Sequence, residues 1–367
     1  MSIPLQSSGD RTSPDDHQAG GPERHDAAGS SGSSGSSGSA DRGEILASLL
    51  EPAARISPKY FYDALGSRLF CAITELDEYY PTRTEAAIVA THLARIAARW
   101  GAPGCTLIDL GAGDCEKASR LFDALRPTQY VAVDISADFL RQSLDALRQR
   151  FPGLDMLAVG ADFSRELALP PAVRRAARLF FYPGSSIGNF TPAEARALLS
   201  RLRGQLGDDG GLLIGIDLVK DRRTLEAAYD DPLGVTAAFN LNVLRNANRI
   251  AGTDFDPADW RHVAFFDEQN SRIEMHLEAR RPVAVTATET MTTPAGLRGE
   301  PARFEPGPAR FERRFAAGER IHTENSCKYR LDDFASLLAA AGFAMQEAWT
   351  DPRHWFAVIL ARPAPAS

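Results

Sequence analysis

The stretch Thr106-Leu107-Ile108-Asp109-Leu110-Gly111-Ala112-Gly113-Asp114 decides the fold. A short buried-strand pattern stops at a Gly-x-Gly turn, and a helical stretch follows from about Glu116 to Leu125. A strand that feeds a helix through such a turn lets a ligand approach the backbone closely. The next strand, Tyr130 to Asp134, ends on a carboxylate 21 positions after Gly113, the spacing at which an acidic side chain binds both hydroxyls of a ribose. The third glycine of the pyrophosphate-cradling motif is missing, because the run continues Asp114-Cys115-Glu116-Lys117. S-Adenosylmethionine, which has no pyrophosphate, explains that loss better than a dinucleotide does. Asp162-Phe163, just past the third strand, add a carboxylate for an adenine amino group and a ring for its face. Singly, these features also read as a plain turn, a helix cap and a loop residue. Their order and spacing point to nucleoside binding, with an NAD-dependent oxidoreductase as the alternative from another class.

Working outward, Thr82-x-x-Glu85 reads as a capping box that opens a helix with the apolar stripe Ile88, Val89, Leu93, Ile96 and Trp100. After the second strand comes a helix carrying Phe139, Leu140, Leu144 and Leu147. Further strands are expected at Met156 to Val159, Leu179 to Tyr182 and Leu212 to Leu218. Between the last two, Thr191, Pro192 and Glu194 mark a second capped helix. Strands alternating with helices predict an α/β fold with a doubly wound parallel sheet. Beyond Lys220 the rhythm changes. Val263 to Phe266, Arg272 to Leu277, Val283 to Thr286 and the stretch around Ile321 to Tyr329 read as strands without intervening helices, a second, β-rich region. The chain closes on a helix, Leu331 to Ala341, and two strands, Ala344 to Thr350 and Trp355 to Leu360. Residues 1–43 read as a tail whose Gly/Ser run, Gly29 to Ser39, is a linker, so folded sequence is expected from Glu44.

Composition narrows the partners. With 48 acidic against 41 basic side chains and no long basic block, the chain lacks the electrostatic footprint of nucleic-acid or anionic-membrane binding, so a small molecule is expected. No apolar run reaches bilayer length and the amino terminus lacks secretory order, which makes the cytoplasm the expected address. Cys71, Cys105, Cys115 and Cys327 show no metal-type spacing, the histidines form no HExxH, and no metal site is expected.

Six further stretches share one order: Tyr60-Phe61-Tyr62-Asp63, Glu78-Tyr79-Tyr80-Pro81-Thr82-Arg83-Thr84-Glu85, Gly184-Ser185-Ser186-Ile187-Gly188-Asn189-Phe190, Asp217-Leu218-Val219-Lys220-Asp221, Ala228-Tyr229-Asp230-Asp231 and Thr323-Glu324-Asn325-Ser326-Cys327-Lys328. Together they resemble the L-histidine Nα-methyltransferases of ergothioneine biosynthesis, from about residue 44 to 362. The resemblance implies a Rossmann-like class I methyltransferase domain, residues 84–219 and 328–367, and a discontinuous substrate-binding domain, residues 44–83 and 220–327. It implies three methyl transfers from S-adenosylmethionine to the histidine α-nitrogen, giving hercynine, by an enzyme expected to be a monomer. Cofactor contacts fall on Gly111, Gly113, Lys117, Asp134, Asp162 and Phe163, the glycine turn and its acidic partners having been read from spacing already. Substrate contacts fall on Tyr62, Tyr79, Asn189, Tyr229, Glu324 and Ser326, with Tyr62 and Tyr79 as the catalytic candidates. Which of Tyr79 and Tyr80 faces inward stays open. Asn325 stands where the family often has an aliphatic residue, and strand alternation points it away from the pocket.

That residue set suits free histidine. Asn189 and Tyr229 offer neutral donors to its carboxylate, whereas Glu324 and Ser326, two apart on a strand, face the same way and can meet both imidazole nitrogens. Buried groups of this kind penalise a ligand that leaves them unpaired, which disfavours an indole amino acid, the alternative substrate. Tyr62 and Tyr79 can orient the amine. No general base is assigned.

Overall fold

The computed structural model describes residues 34–101, 104–135, 137–163, 165–287 and 311–365. The chain enters through α1 (Ser34–Leu49), α2 (Ala64–Thr74) and α3 (Tyr80–Trp100). It then alternates through β1 (Thr106–Leu110), two short helices α4 (Glu116–Ser119) and α5 (Phe122–Leu125), β2 (Gln129–Asp134), α6 (Ala137–Arg150), β3 (Asp155–Gly160) and β4 (Arg178–Tyr182). A 3₁₀ turn, Ser186–Asn189, precedes α7 (Pro192–Gly204) and β5 (Gly211–Asp217). Next come α8 (Arg222–Ala227), α9 (Val235–Ala251), β6 (Trp260–Asp267), β7 (Arg272–Ala279), β8 (Val283–Ala287), β9 (Phe311–Phe315) and β10 (Arg320–Cys327). The closing elements are α10 (Leu331–Ala340), β11 (Phe343–Thr350) and β12 (Phe356–Pro363).

Seven strands form one sheet in the order β11-β12-β5-β4-β1-β2-β3. The five from β1 to β5 run parallel, and β12 is antiparallel to both its neighbours. Strand alternation sends successive side chains to opposite faces. Ile108, Leu110, Val131 and Val133 meet Leu198 and Leu202 of α7 and Phe334 and Leu338 of α10 on one face. Leu107, Tyr130 and Ala132 meet Ile88 and Ile96 of α3 and Leu140 and Leu144 of α6 on the other. A third apolar core lies outside this sheet and joins Ile45, Tyr60, Phe61 and Ile73 to Phe239, Val243, Trp260 and Ile321. It packs α1, α2 and α9 on the three-stranded antiparallel sheet β10-β7-β6, beside the β8-β9 pair.

Three expectations change. The capping box at Thr82 does not form: α3 starts two residues earlier, at Tyr80, with Pro81 in its first turn and no side-chain cap, and Glu85 is buried and engaged elsewhere. The strands expected beyond Lys220 form as β6, β7, β8 and β10 with no helix between them among the described residues, but helix α9, which the sequence reading did not foresee, precedes them. The first helix begins at Ser34, ten residues ahead of Glu44, and Asp41 is tied to Lys59 Nζ and to the Tyr60 hydroxyl, each at 3.1 Å. The rest of the expected tail, residues 1–33, lies outside the described residues. The second capping box is present in full: Glu194 N–H donates to Thr191 and the Glu194 carboxylate receives the Thr191 N–H.

Candidate active site

In an open parallel sheet, ligands bind beyond the carboxyl ends of the strands where the chain reverses its direction of build-up. Here that point lies between β1 and its neighbour β4, so the turn at Gly111 and the turn at Gly184 flank one crevice.

Gly111 and Gly113 occupy left-handed backbone (φ 70° and 52°), and a Cβ on either would enter open space. Gly113 N–H donates to Asp134 Oδ2 at 3.1 Å, which holds the carboxylate at the end of β2 against the turn. Asp162 and Phe163 follow β3, the Phe163 ring standing edge-on to Tyr182 at 5.7 Å. Beneath the turn Asp109 Oδ2 accepts from the Tyr130 hydroxyl at 2.8 Å, and Oδ1 is buried with no hydrogen-bond partner among the described residues. Burial pushes this carboxyl up to about 7. An orphaned acceptor below, open glycine backbone and two acidic side chains alongside fit a cationic nucleoside such as S-adenosylmethionine. Lys117 Nζ donates to Glu85 Oε2 at 2.9 Å, and Glu85 Oε1 accepts the Gly184 N–H at 2.8 Å. Glu85 therefore ties the cofactor turn to the turn after β4, which is the role it takes in place of a helix cap.

Across from this half lies a crevice of about 530 Å³, counting solvent space at its mouth. Its lining joins the apolar and aromatic residues Tyr62, Phe70, Ile73, Tyr79, Tyr229, Phe239 and Met275 to a polar end of Asn189, Glu324 and Ser326. All six substrate-contact candidates are thus gathered on one cavity. Tyr79 faces it, while Tyr80 points into the protein and donates to Asp217 (2.7 Å). Asn325 is absent from the lining and bonds His322 instead, at 2.9 Å. The rings form a continuous aromatic wall, with Tyr79 6.2 Å from Tyr229, Phe70 6.1 Å from Tyr79 and Tyr62 5.9 Å from Phe239.

The polar end is held by charge. Glu324 accepts from the Asn189 side chain. Burial pushes the Glu324 carboxyl up to about 7, although the Lys328 charge and that hydrogen bond pull it down. Tyr229 and Ser326 share a hydrogen bond of 2.7 Å, and Lys328 Nζ donates to both oxygens, at 3.0 and 2.8 Å. Lys328 also pairs with Asp217 at 2.8 Å. Burial alone would raise the Asp217 carboxyl, but the Lys328 and Lys220 charges outweigh it and hold it below its ordinary value. Behind Tyr229, its carbonyl lies 2.8 Å from His262 Nε2, and His262 Nδ1 lies 2.8 Å from the Asn240 amide. Burial lowers the His262 pKa, so the ring is neutral, donating from Nε2 and accepting at Nδ1.

Sequence reasoning missed Glu85, Asp217 and Lys328, yet each sits in one of the six shared stretches. Asp221 caps α8 through Thr224 N–H at 2.9 Å, but Lys220 Nζ reaches inward to Asp217 and to the Tyr80 hydroxyl.

Gly188 makes the turn that carries Asn189 possible. A Cβ there would lie 2.8 Å from the Cys327 carbonyl oxygen and 3.1 Å from Cys327 N, backbone atoms of the segment that carries Ser326 and Lys328. Gly188→Ala must displace that segment, and misplacement on the ångström scale costs up to about 100-fold in rate. For the few tenths required, about a tenfold fall in kcat/KM is expected in steady-state kinetics, with the melting temperature nearly kept.

A doubly wound sheet ending in an antiparallel hairpin, with a glycine turn and an acidic partner at its switch point, defines a class I S-adenosylmethionine-dependent methyltransferase. Residues 41–363 match the family described as histidine-specific methyltransferase, SAM-dependent, and the chain belongs to that family. It is 42% identical over 324 residues to the histidine N-alpha-methyltransferase of Mycolicibacterium smegmatis, covering 87% of this chain and 94% of that protein. It is 39% identical over 326 residues to the protein of the same name from Mycobacterium tuberculosis, again covering 87% and 94%. Ergothioneine biosynthesis protein 1 of Neurospora crassa is 29% identical over 309 residues, 82% of this chain but 32% of that longer protein. Among the described residues no helix is long and apolar enough to cross a membrane, and no group of three His, Cys, Asp or Glu side chains could hold a metal ion. The four cysteines are unpaired thiols, three of them buried.

Proposed function

We propose that this protein transfers methyl groups from S-adenosylmethionine to the α-nitrogen of L-histidine, three in succession, giving hercynine for ergothioneine biosynthesis. The carrying observation is the polar end of the crevice, where Glu324, Ser326, Tyr229 and Asn189 line one cavity that also reaches Gly184, the turn that Glu85 ties to Lys117. The names of the mycobacterial and fungal relatives agree with it.

Gly111, Gly113, Lys117, Asp134, Asp162 and Phe163 would hold the cofactor, with Asp134 on the ribose, Asp162 and Phe163 on the adenine and Lys117 on the carboxylate. When bound, the cofactor supplies a methyl on a sulfonium, which departs as a thioether as the carbon–nitrogen bond forms. Within residues 44–83 and 220–327, the substrate unit, Glu324 and Ser326 read the imidazole. Tyr229, with Asn189 from the turn after β4, takes the carboxylate. Tyr62 and Tyr79 orient the amine. Burial holds the Tyr79 phenol well above its ordinary value, so it stays protonated at neutral pH and acts as a hydrogen-bonding group, not as a base. Tyr62 lines the same crevice, and burial of its phenol likewise holds it above its ordinary value, so it too stays protonated and acts through hydrogen bonds.

The aromatic wall supports repeated transfer. Successive methyl groups turn the amine into a fixed cation, and ring faces attract such a cation by about 0.5–2 kcal/mol each while imposing no hydrogen bond that it can no longer make. Incubation of the pure protein with labelled S-adenosylmethionine and histidine is expected to end in the trimethylated mass. Accumulation of a monomethyl product would remove the three-step reading, and transfer to tryptophan but not to histidine would remove the substrate.

A further inference from the structure

We propose that Lys328, without touching the substrate, fixes the hydrogen-bond polarity of the Tyr229–Ser326 pair, so that Ser326 can only accept and the substrate ring must bring an N–H to it. The inference rests on the histidine reading above and deepens it.

The argument is a count of protons. An ammonium group has three N–H donors and no acceptor. Lys328 is fully buried and spends its three on Asp217 (2.8 Å), Tyr229 Oη (3.0 Å) and Ser326 Oγ (2.8 Å), leaving none for a ligand. Both hydroxyl oxygens therefore accept from the same cation. They also bond each other at 2.7 Å, which consumes one of their two protons. What remains toward the crevice is one O–H and one lone pair, on different residues. A substrate carboxylate needs donors, and the Asn189 amide already gives one of its own to Glu324. The remaining O–H therefore belongs to Tyr229, Ser326 donates to Tyr229, and the Ser326 lone pair faces the ring. The reverse arrangement would set a Tyr229 lone pair against a carboxylate.

Lys328 is thus a positioning residue for specificity. Without it, both hydroxyls regain rotational freedom and Ser326 can turn its proton to a ring acceptor. Asp217 would not be stranded, because Lys220 Nζ lies 2.5 Å from its other oxygen.

The test compares histidine with β-(thiazol-4-yl)alanine, whose ring keeps an acceptor nitrogen but has no N–H, in the full-length parent and in Lys328→Met at saturating S-adenosylmethionine. The parent is expected to prefer histidine at least 100-fold in kcat/KM. In Lys328→Met the KM for histidine should rise about tenfold with kcat within threefold, and the preference should shrink at least tenfold. Affinity for S-adenosylhomocysteine, measured by calorimetry, should stay as in the parent. A preference unchanged in a variant that binds S-adenosylhomocysteine normally overturns the proposal, as does a parent that uses the two amino acids equally. If Lys328→Met does not fold, Ser326→Ala serves: it removes the acceptor and should cost histidine turnover while sparing the thiazole, and equal losses overturn the proposal. A parent that methylates neither amino acid overturns the histidine reading itself, and this inference with it.

Discussion

Replacing Glu324 by alanine is expected to raise the KM for histidine about 100-fold while leaving the affinity for S-adenosylhomocysteine unchanged. A hydrogen bond to a charged group is worth about 1.5–3 kcal/mol, and 1.4 kcal/mol is a factor of ten. The upper end applies because the loss is double: the ring nitrogen faces an apolar wall, and the Asn189 amide loses its acceptor. An indole amino acid makes no use of the carboxylate, so its kcat/KM should be unchanged or improved. A histidine KM within threefold of the parent would show that Glu324 does not read the ring. Stability should move the other way. Burial lifts this carboxyl from 4.5 to about 7, so the folded state resists its ionisation. Below about pH 4.5 both states hold the proton and no penalty exists; between 4.5 and 7 the unfolded chain releases it first, and above 7 the penalty is complete. Glu324→Gln, which has no charge to bury, should therefore melt above the parent by a margin that grows over that window and then levels off.

That opposition between stability and use explains what could be read from the sequence and what could not. The strands of the large sheet were legible because each is short, apolar and bounded by a turn or a capped helix, and β1 was placed residue for residue. Helix α9 was not, because the periodicity that betrays a helix is carried at several buried positions by asparagine. Asn242 bonds Asp63 at 2.8 Å and Asn246 bonds the Tyr60 carbonyl at 2.7 Å, so polar side chains are buried against partners far away in the chain. Glu85 misled for the same reason, having the spacing of a local cap but long-range partners. Of the site, the glycine turn and Asp134 follow from local spacing, whereas Glu324 or Tyr229 in isolation would read as ordinary surface or packing residues and became visible only through the shared stretches. The Asp217–Lys328 pair has no local signal at all. Its logic is that of a buried cation beside a buried anion, which only the folded chain brings together.

The largest loss is expected from Asp134→Ala. On the proposed reading the carboxylate at the end of β2 takes both ribose hydroxyls, and it already accepts the Gly113 N–H. Two charge-assisted hydrogen bonds at about 1.5–3 kcal/mol each amount to at least 3 kcal/mol, more than 100-fold in the dissociation constant of S-adenosylhomocysteine. Freeing the left-handed glycine turn from its anchor adds to the loss. Asp134→Asn retains an acceptor oxygen without the charge and should fall between, about tenfold. Calorimetric titration measures both, and a dissociation constant within threefold of the parent in Asp134→Ala would place the nucleoside elsewhere. On the proposed reading Asp134 and Glu324 act on different ligands, so their substitutions should combine additively in free energy, each keeping its own signature. Departure from additivity would mean that cofactor and substrate are sensed together, and Glu85, which bonds Lys117 on one side and Gly184 on the other, is the residue through which that coupling would run.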